Sequence, residues 1–345
     1  MKLLRLPGLI DIHVHLRDPG EIQKEDFYTG TLSALAGGVT TVFDMPNNIV
    51  PIFSRKSLLE KLSVAKSKAV CDFGLYFGSI GDNISEFEKA AADVIGLKVY
   101  LSLTTGKYVL GDEDKLKIIF QNWPKQKIIV FHAERDRIDL VIRLMEKYGN
   151  KVHITHVTTK DGLEKIIAAK SDNLPLTCDV TPHHLFLTDT SGVIVKPALS
   201  TKKDQDFLWN NLKSIDCLVS DHAPHTISEK KSDKPPSGVP GVETMLPLML
   251  TEVKKGRLSV NELIRLTSTS PRKIFNLPQD DSAYIEVDTA EEYIIENKSL
   301  FTKCAWSPYA GWQVAGRVKK VYLHRKLAFE NGKLLVSQGF GNYLH

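Results

Sequence analysis

A chain of 345 residues is long enough for one large α/β barrel with an appendage, or for two domains. Its 42% hydrophobic and 25% charged residues are ordinary for a soluble globular enzyme. A net charge of +4, with aromatics not interleaved with a basic stripe, argues against nucleic-acid partners and against a membrane surface. Cys71, Cys178, Cys217 and Cys304 are far apart and form no CxxC, so they read as reduced thiols. The N-terminus carries no apolar core of signal-peptide length, and no stretch reaches transmembrane length. The expected location is the cytoplasm.

In chain order, short apolar runs alternate with amphipathic segments. Strands are predicted at Leu9–Leu16, Thr40–Met45, Val70–Phe77, Gly96–Leu101, Ile128–His132, Val152–Val157, Leu176–Val180 and Cys217–Asp221. Helices are predicted between them at Phe27–Ala36, Arg55–Ser67, Ser85–Ala92, Asp112–Gln121, Arg137–Tyr148, Lys160–Ala169 and Asp204–Leu212. This alternation predicts a closed parallel (β/α)8 TIM barrel, and no glycine-rich nucleotide fingerprint favours an open sheet. Two helical stretches follow, Leu258–Thr267 and Pro271–Phe275. After Pro278 short strands take over at Tyr284–Val287, Glu292–Ile295, Val318–Leu323, Leu327–Phe329 and Lys333–Val336, with Asn331-Gly332 as a hairpin turn. The domain reading is therefore a barrel over 1–277 and a small β-rich appendage over 278–345. Lys230, Lys231 and Lys234 in the long loop 226–240 read as a solvated charge run.

Barrel chemistry sits at the C-terminal ends of the strands. His13 and His15 are spaced i, i+2, so on a strand both imidazoles share a face. The same ends carry Asn47, Lys98, His132, His156 and Asp221. One buried histidine is more often structural than a ligand. Six metal-type side chains (His13, His15, Lys98, His132, His156, Asp221) at one end of one barrel are hard to ascribe to chance. Lys98 lies between Leu97 and Val99, so burial should favour its neutral amine. A neutral amine can add carbon dioxide and become a carbamate, an anion able to bridge two divalent cations. His13, His15 and Asp221 would complete one site, and His132 and His156 the other. Imidazole and carboxylate ligands favour zinc, so two Zn2+ are expected. The plainer alternative is an ion pair of Lys98 with Asp221, no carbamate and one metal.

The run Pro7-Gly8-Leu9-Ile10-Asp11-Ile12-His13-Val14-His15-Leu16-Arg17-Asp18-Pro19-Gly20 resembles the signature of dihydroorotases in the amidohydrolase superfamily. So do Met45-Pro46-Asn47, Gly96-Leu97-Lys98-Val99-Tyr100, His132-Ala133-Glu134, His153-Ile154-Thr155-His156-Val157, Pro182-His183-His184-Leu185 and Ser220-Asp221-His222-Ala223-Pro224-His225-Thr226. The similarity runs over nearly the whole chain and looks closest to the dihydroorotase domain of the multifunctional animal pyrimidine-synthesis protein, which uses a carboxylated lysine.

The resemblance implies interconversion of L-dihydroorotate plus water and N-carbamoyl-L-aspartate in pyrimidine biosynthesis, with Asp221 as catalytic acid and base. Arg17 would grip the substrate carboxylate, with Asn47 and His225 adding hydrogen bonds and the backbone at Ser237 and Gly238 meeting the ring. Thr104 and Lys196 are further substrate contacts by position. The sequence departs from the pattern at Asp18 (usually Glu), Lys196 (Arg in the animal enzymes), Thr105 (Phe in a mobile loop) and Thr155 (Cys). Thr155 puts a third metal in doubt, although Asp179 stands nearby. The implied partners are a small-molecule substrate, a second copy in a homodimer, and aspartate transcarbamoylase. The alternatives are a hydantoinase or allantoinase, which Arg17 and Asn47 argue against, and an inactive scaffold, which would be expected to lose ligands.

Overall fold

A computed structural model describes residues 3–104 and 108–345. A short strand, β1 (Leu4–Pro7), precedes eight parallel barrel strands. These are β2 (Leu9–Val14), β3 (Val39–Asp44), β4 (Asp72–Gly78), β5 (Gly96–Tyr100), β6 (Ile128–His132), β7 (Val152–Ile154), β8 (Leu176–Val180) and β9 (Cys217–Leu218). Each pairs in parallel with the next. The ring is drawn together between β9 and β2, where His15 N donates to His222 O at 2.7 Å and Ser220 N to the Asp11 carboxylate at 3.2 Å.

Helices α1 (Phe27–Ala36), α2 (Arg55–Lys68), α3 (Phe87–Ala92), α4 (Glu113–Asn122), α5 (Asp136–Tyr148) and α6 (Lys160–Ser171) link successive strands from β2 to β8. Their starts carry the expected chemistry: Asp26 and Ser54 form capping boxes, and Asp112 and Thr159 accept from first-turn amides. Gly149 ends α5 in the left-handed conformation at φ 72°. Helices α7 (Pro182–Phe186) and α8 (Lys202–Asn210) join β8 to β9, and α9 (Ile227–Lys230) sits in the loop beyond.

Strands β2 to β6 are buried at every residue, as expected for strands with helices outside and side chains inside. Ile10, Ile12, Phe43, Tyr76, Val130 and Val219 form one buried cluster. Phe275 closes it, with ring centroids 5.0 Å from Phe43 and 6.2 Å from Tyr76. One end of the barrel is thus plugged with hydrocarbon, and the polar side chains are left to the other.

After the barrel come α10 (Met245–Lys254), α11 (Val260–Ile264) and α12 (Ser270–Ile274). Helix α10 was not expected. Its first six residues are all buried and no side chain caps its start, so neither a stripe nor a cap marks it in the sequence. The stretch expected as one helix over Leu258–Thr267 is α11 running into a π-helical turn, Arg265–Thr269.

The appendage is a five-stranded antiparallel sheet in the order β1-β10-β11-β12-β13, with β10 (Tyr284–Ile294), β11 (Gln313–Leu323), β12 (Lys326–Glu330) and β13 (Lys333–Leu334). The two strands expected at Tyr284–Val287 and Glu292–Ile295 are one strand with a register break between Asp288 and Glu292. There the Asp288 carboxylate accepts Ala290 N at 3.1 Å and Glu291 N at 3.3 Å, so the extra residues form a side-chain-bonded bulge. Both chain ends cross the boundary expected at 277/278. Strand β1 pairs with β10, and β14 (Tyr343–Leu344) runs parallel to β4. Among the described residues no helix is long and apolar enough to cross a membrane.

Candidate active site

The polar end of the barrel collects the expected side chains. His13 sits near the end of β2, Lys98 inside β5 and His132 at the last residue of β6. His15, Arg17, Asn47, His156 and Asp221 lie on the first residues beyond their strands. All six metal-type residues are buried. Asp221 Oδ1 is 3.1 Å from His15 Nε2 and 3.4 Å from His13 Nε2. The His13 ring lies 5.3 Å from His15 and 5.2 Å from His156, and His132 lies 4.5 Å from His156, centroid to centroid. His13, His156 and Asp221 each offer a ligand atom within 4.8 Å of the others, so the two expected ligand sets share one small volume. Arg17, His156 and Asp221 have φ of 63°, 45° and 44°. Such left-handed non-glycine residues are costly, and three at one strand-end ring mark a backbone held in place to aim side chains.

Hydrogen bonds fix which imidazole nitrogens face the centre. His15 Nδ1 meets Asn47 Oδ1 at 2.8 Å; an amide oxygen can only accept, so this nitrogen carries the proton and Nε2 offers its lone pair. Thr155 Oγ1 donates to Asp179 Oδ2 at 2.8 Å and so accepts from His13 Nδ1 at 2.6 Å, which again leaves Nε2 bare. At the centre three buried polar atoms have no hydrogen-bond partner: Lys98 Nζ, His132 Nε2 and His156 Nδ1. For His132 the nearest carboxylate, Glu134 Oε1 at 3.4 Å, is too poorly placed to satisfy it. Buried orphans of this kind are expensive. The bare Nε2 atoms of His13 and His15, the Asp221 carboxylate and the unsatisfied nitrogens of His132 and His156 converge in a way that fits divalent cations, which would supply the partners these side chains lack.

Burial also sets the charges. It lowers His132 and holds His13, His15 and His156 well below the usual imidazole range, with Lys98, Arg17 and neighbouring histidines adding to the effect. They are neutral, as ligands must be. Burial brings Lys98 down to about 7, opposed by Asp179 and Asp221. It pushes Asp221 up to about 7 against the pull of Lys98 and His132.

The expected substrate residues surround this centre unequally. Buried Arg17 gives its Nε to Pro224 O at 3.2 Å, and a terminal nitrogen lies 3.2 Å from His225 Nε2. His225 Nε2 is also 3.0 Å from Ser237 O, so Arg17, His225 and Ser237 form one wall. Burial and Arg17 bring His225 down to about 3, so it is neutral. Gly238 has φ 125°, and a Cβ there would lie 2.7 Å from Ala223 O; the backbone can come this close only without a side chain. Asn47 has its carbonyl taken by His15 and keeps its N–H groups to offer. Thr104 is half-buried beyond β5, Lys196 is exposed on the rim beside Glu134, and Thr105 lies outside the described residues. A cavity of about 190 Å³ opens beside His156, lined by Glu134, Thr158, Pro197 and Leu199.

Two buried carboxylates support the site: Asp179, noted in the sequence only as standing nearby, and Glu25, which was not expected. Asp179 accepts from Thr155, from His153 Nε2 at 2.7 Å and from the backbone N of His156, so it aims two of the site histidines. Glu25, fully buried, lies 3.3 Å from His222 Nε2, next to Asp221, and accepts Thr302 Oγ1 and Lys303 N from the appendage side. For Asp179 the sequence signal was present, a carboxylate inside the apolar run 176–180; Glu25, between Lys24 and Asp26, carried none. Lys230 is not the solvated charge expected. Its Nζ donates to Ile194 O, Pro236 O and Gly238 O at 2.7–3.1 Å, staking down the Ser237–Gly238 loop.

Comparison with known proteins gives the same picture. Residues 4–282 match the amidohydrolase family. The chain is 45% identical over 99% of its length to the multifunctional protein CAD of Squalus acanthias, but spans only 16% of that protein. It is 36% identical to a dihydroorotase of Pyrococcus horikoshii, with 96% of this chain and 82% of the relative covered. Among solved structures, an L-hydantoinase from Arthrobacter aurescens superimposes with a TM-score of 0.94 at 26% identity, covering 99% of this chain and 88% of that one. The inactive dihydroorotase-like domain of a Chaetomium thermophilum CAD-like multifunctional protein does so at 0.87 and 26%, covering 100% of both. The chain therefore belongs to the amidohydrolase family, and within it to the dihydroorotases.

Proposed function

We propose that the chain is an active dihydroorotase that interconverts L-dihydroorotate plus water and N-carbamoyl-L-aspartate. The observation that carries this reading is the complete ring of metal-type side chains with buried Arg17 and Asn47 beside it. A hydantoin has no carboxylate to occupy such a guanidinium. An inactive scaffold has no use for orphaned, converging lone pairs.

Two zinc ions would be held by His13, His15 and Asp221 and by His132 and His156, with Lys98 between them as a carbamate. The buried Lys98 amine has no hydrogen-bond partner and is brought down to about 7, so a large share of it is neutral near neutral pH and can add carbon dioxide, with loss of one proton. Bound divalent cations lower the pKa of water and polarise a carbonyl. Arg17 receives the substrate carboxylate with its terminal N–H groups, and Asn47 adds an amide donor. The wall of His225, Ser237 and Gly238 meets the ring. Asp221 takes the proton from water as its oxygen bonds to the ring carbonyl carbon. It returns that proton to the imide nitrogen as the carbon–nitrogen bond breaks. The reverse reaction retraces these steps. The four buried thiols suit a reducing cytoplasm. An association with another enzyme of pyrimidine synthesis, such as aspartate transcarbamoylase, fits a chain 45% identical to part of a much longer multifunctional protein, and a homodimer is what the resemblance to dihydroorotases implies.

Turnover of dihydroorotate compared with hydantoin and allantoin, together with metal content, tests the reading. Dihydroorotate should be preferred and the purified protein should carry stoichiometric zinc. Asp221→Asn should lose about 10²–10⁴-fold in kcat. A wild-type protein without zinc or without activity on dihydroorotate would overturn it.

A further inference from the structure

Helix α2 shows an anomaly. Its buried face runs Leu58, Lys61, Ala65 at spacings of three and four, and Lys61 is as fully enclosed as its apolar neighbours. Burial works against the charge on this amine, and Asp44 sustains it. Lys61 Nζ lies 2.6 Å from Asp44 Oδ2, 2.7 Å from Met45 O and 2.8 Å from Asn48 Oδ1. Both ends of this contact are carried further. Asp44 Oδ1 accepts Leu16 N at 2.7 Å, on the residue between His15 and Arg17. Asn48 Nδ2 donates to Pro19 O at 3.1 Å, two residues beyond Arg17. One ammonium thus laces the segment 44–48, which carries Asn47, to the segment 16–19, which carries Arg17. A buried ion pair seldom outperforms a well-packed apolar pair of the same size, so stability is a poor account of it. Arg17, at φ 63°, needs external restraint to hold its aim.

We infer that Lys61, with Asp44 and Asn48, is the positioning element that sets Arg17 and Asn47 at the correct spacing to grip the substrate carboxylate. It touches no reacting atom. Its main effect is on affinity for a carboxylate-bearing ring; Lys61 and Asn48 contact neither the metal-type residues nor the proton-transfer group directly, and the link to His15 runs only through Asn47 and Leu16. The inference rests on the dihydroorotase reading.

Two variants separate positioning from folding. Asn48→Ala cuts the tie from Lys61 to Pro19 without stranding a charge. The double variant Lys61→Met with Asp44→Asn removes the ion pair as a unit. Both are assayed for kcat and KM on dihydroorotate, for orotate affinity by calorimetry, and for zinc content and melting temperature. The expected result is a rise of about tenfold in KM and in the orotate Kd for the double variant, and roughly three- to tenfold for Asn48→Ala. Zinc content should be unchanged and kcat within about threefold. If a folded Asn48→Ala protein keeps wild-type KM and orotate affinity, or if kcat and zinc content fall together while KM stays constant, the inference is wrong. Failure of the wild-type protein to turn over dihydroorotate would strike the functional reading instead.

Discussion

On the proposed function, Arg17→Ala removes the buried guanidinium that receives the substrate carboxylate. The side chain gives its Nε to Pro224 O and one terminal N–H to His225 Nε2, each at 3.2 Å, which leaves its other terminal N–H groups for a ligand. A hydrogen bond to a charged group contributes about 1.5–3 kcal/mol. Two parallel bonds to one carboxylate overlap in their effect, so the expected loss is about 2–4 kcal/mol, roughly 30- to 800-fold in kcat/KM. The carboxylate is remote from the carbon under attack, so the loss should fall mainly on KM. Arg17→Lys keeps the charge and loses the planar fork, and should recover only about 1 kcal/mol of it. Steady-state kinetics on dihydroorotate, with zinc content measured on the same samples, gives the answer. An Arg17→Ala enzyme with wild-type KM and full zinc would refute the assignment of the carboxylate pocket.

Thr155→Val should weaken zinc binding about 10–100-fold in chelator competition, because it cuts the link from Asp179 to His13 Nδ1, and Thr155→Ser should restore it. Glu243 gives a pH prediction. Burial pushes its carboxyl up to about 7, although Ser33 Oγ and Phe301 N donate to it at 3.0 and 2.9 Å. Its folded pKa thus lies above its unfolded one, so its contribution is fully present below about pH 4.5 and is lost as the pH rises through about 7. Melting temperature should fall over that window, and Glu243→Gln should flatten the fall. Gly238→Ala adds a Cβ 2.7 Å from Ala223 O at φ 125°, which should cost about 1–3 kcal/mol and lower kcat/KM, read by melting and kinetics together.

The barrel was legible because strands buried on both faces must be apolar along their length, and a polar residue at the end of such a run stands out. His132 ending Ile128–Phe131 is the clearest case. Lys98 could be picked out for the same reason, between Leu97 and Val99. Asp179 carried an equally good signal and Lys61, beside Glu60 on a charged helix, a poor one; the partners of both lie on other elements, and no spacing along the chain reveals a contact across the fold. Helix α10 was illegible for the opposite reason, since a helix buried all round has no stripe. In the appendage the individual strands could be read, but not that β1 would join them, because pairing at long sequence separation leaves no local mark. Lys230 shows the limit of reading charge as solvation: a long stem can carry an ammonium back over its own loop to bare carbonyls.

The pairing of β1 with β10 sets an order of events during synthesis. Leu4 and Leu6 emerge from a ribosome about 280 residues ahead of their partners Val287 and Ile285. At about 5–20 residues per second, the first strand waits roughly a quarter of a minute to a minute for its neighbour to be made. Throughout that interval Leu6, buried in the finished molecule, lacks its strand partner Ile285, and the edge of β1 that β10 will cover stays unpaired.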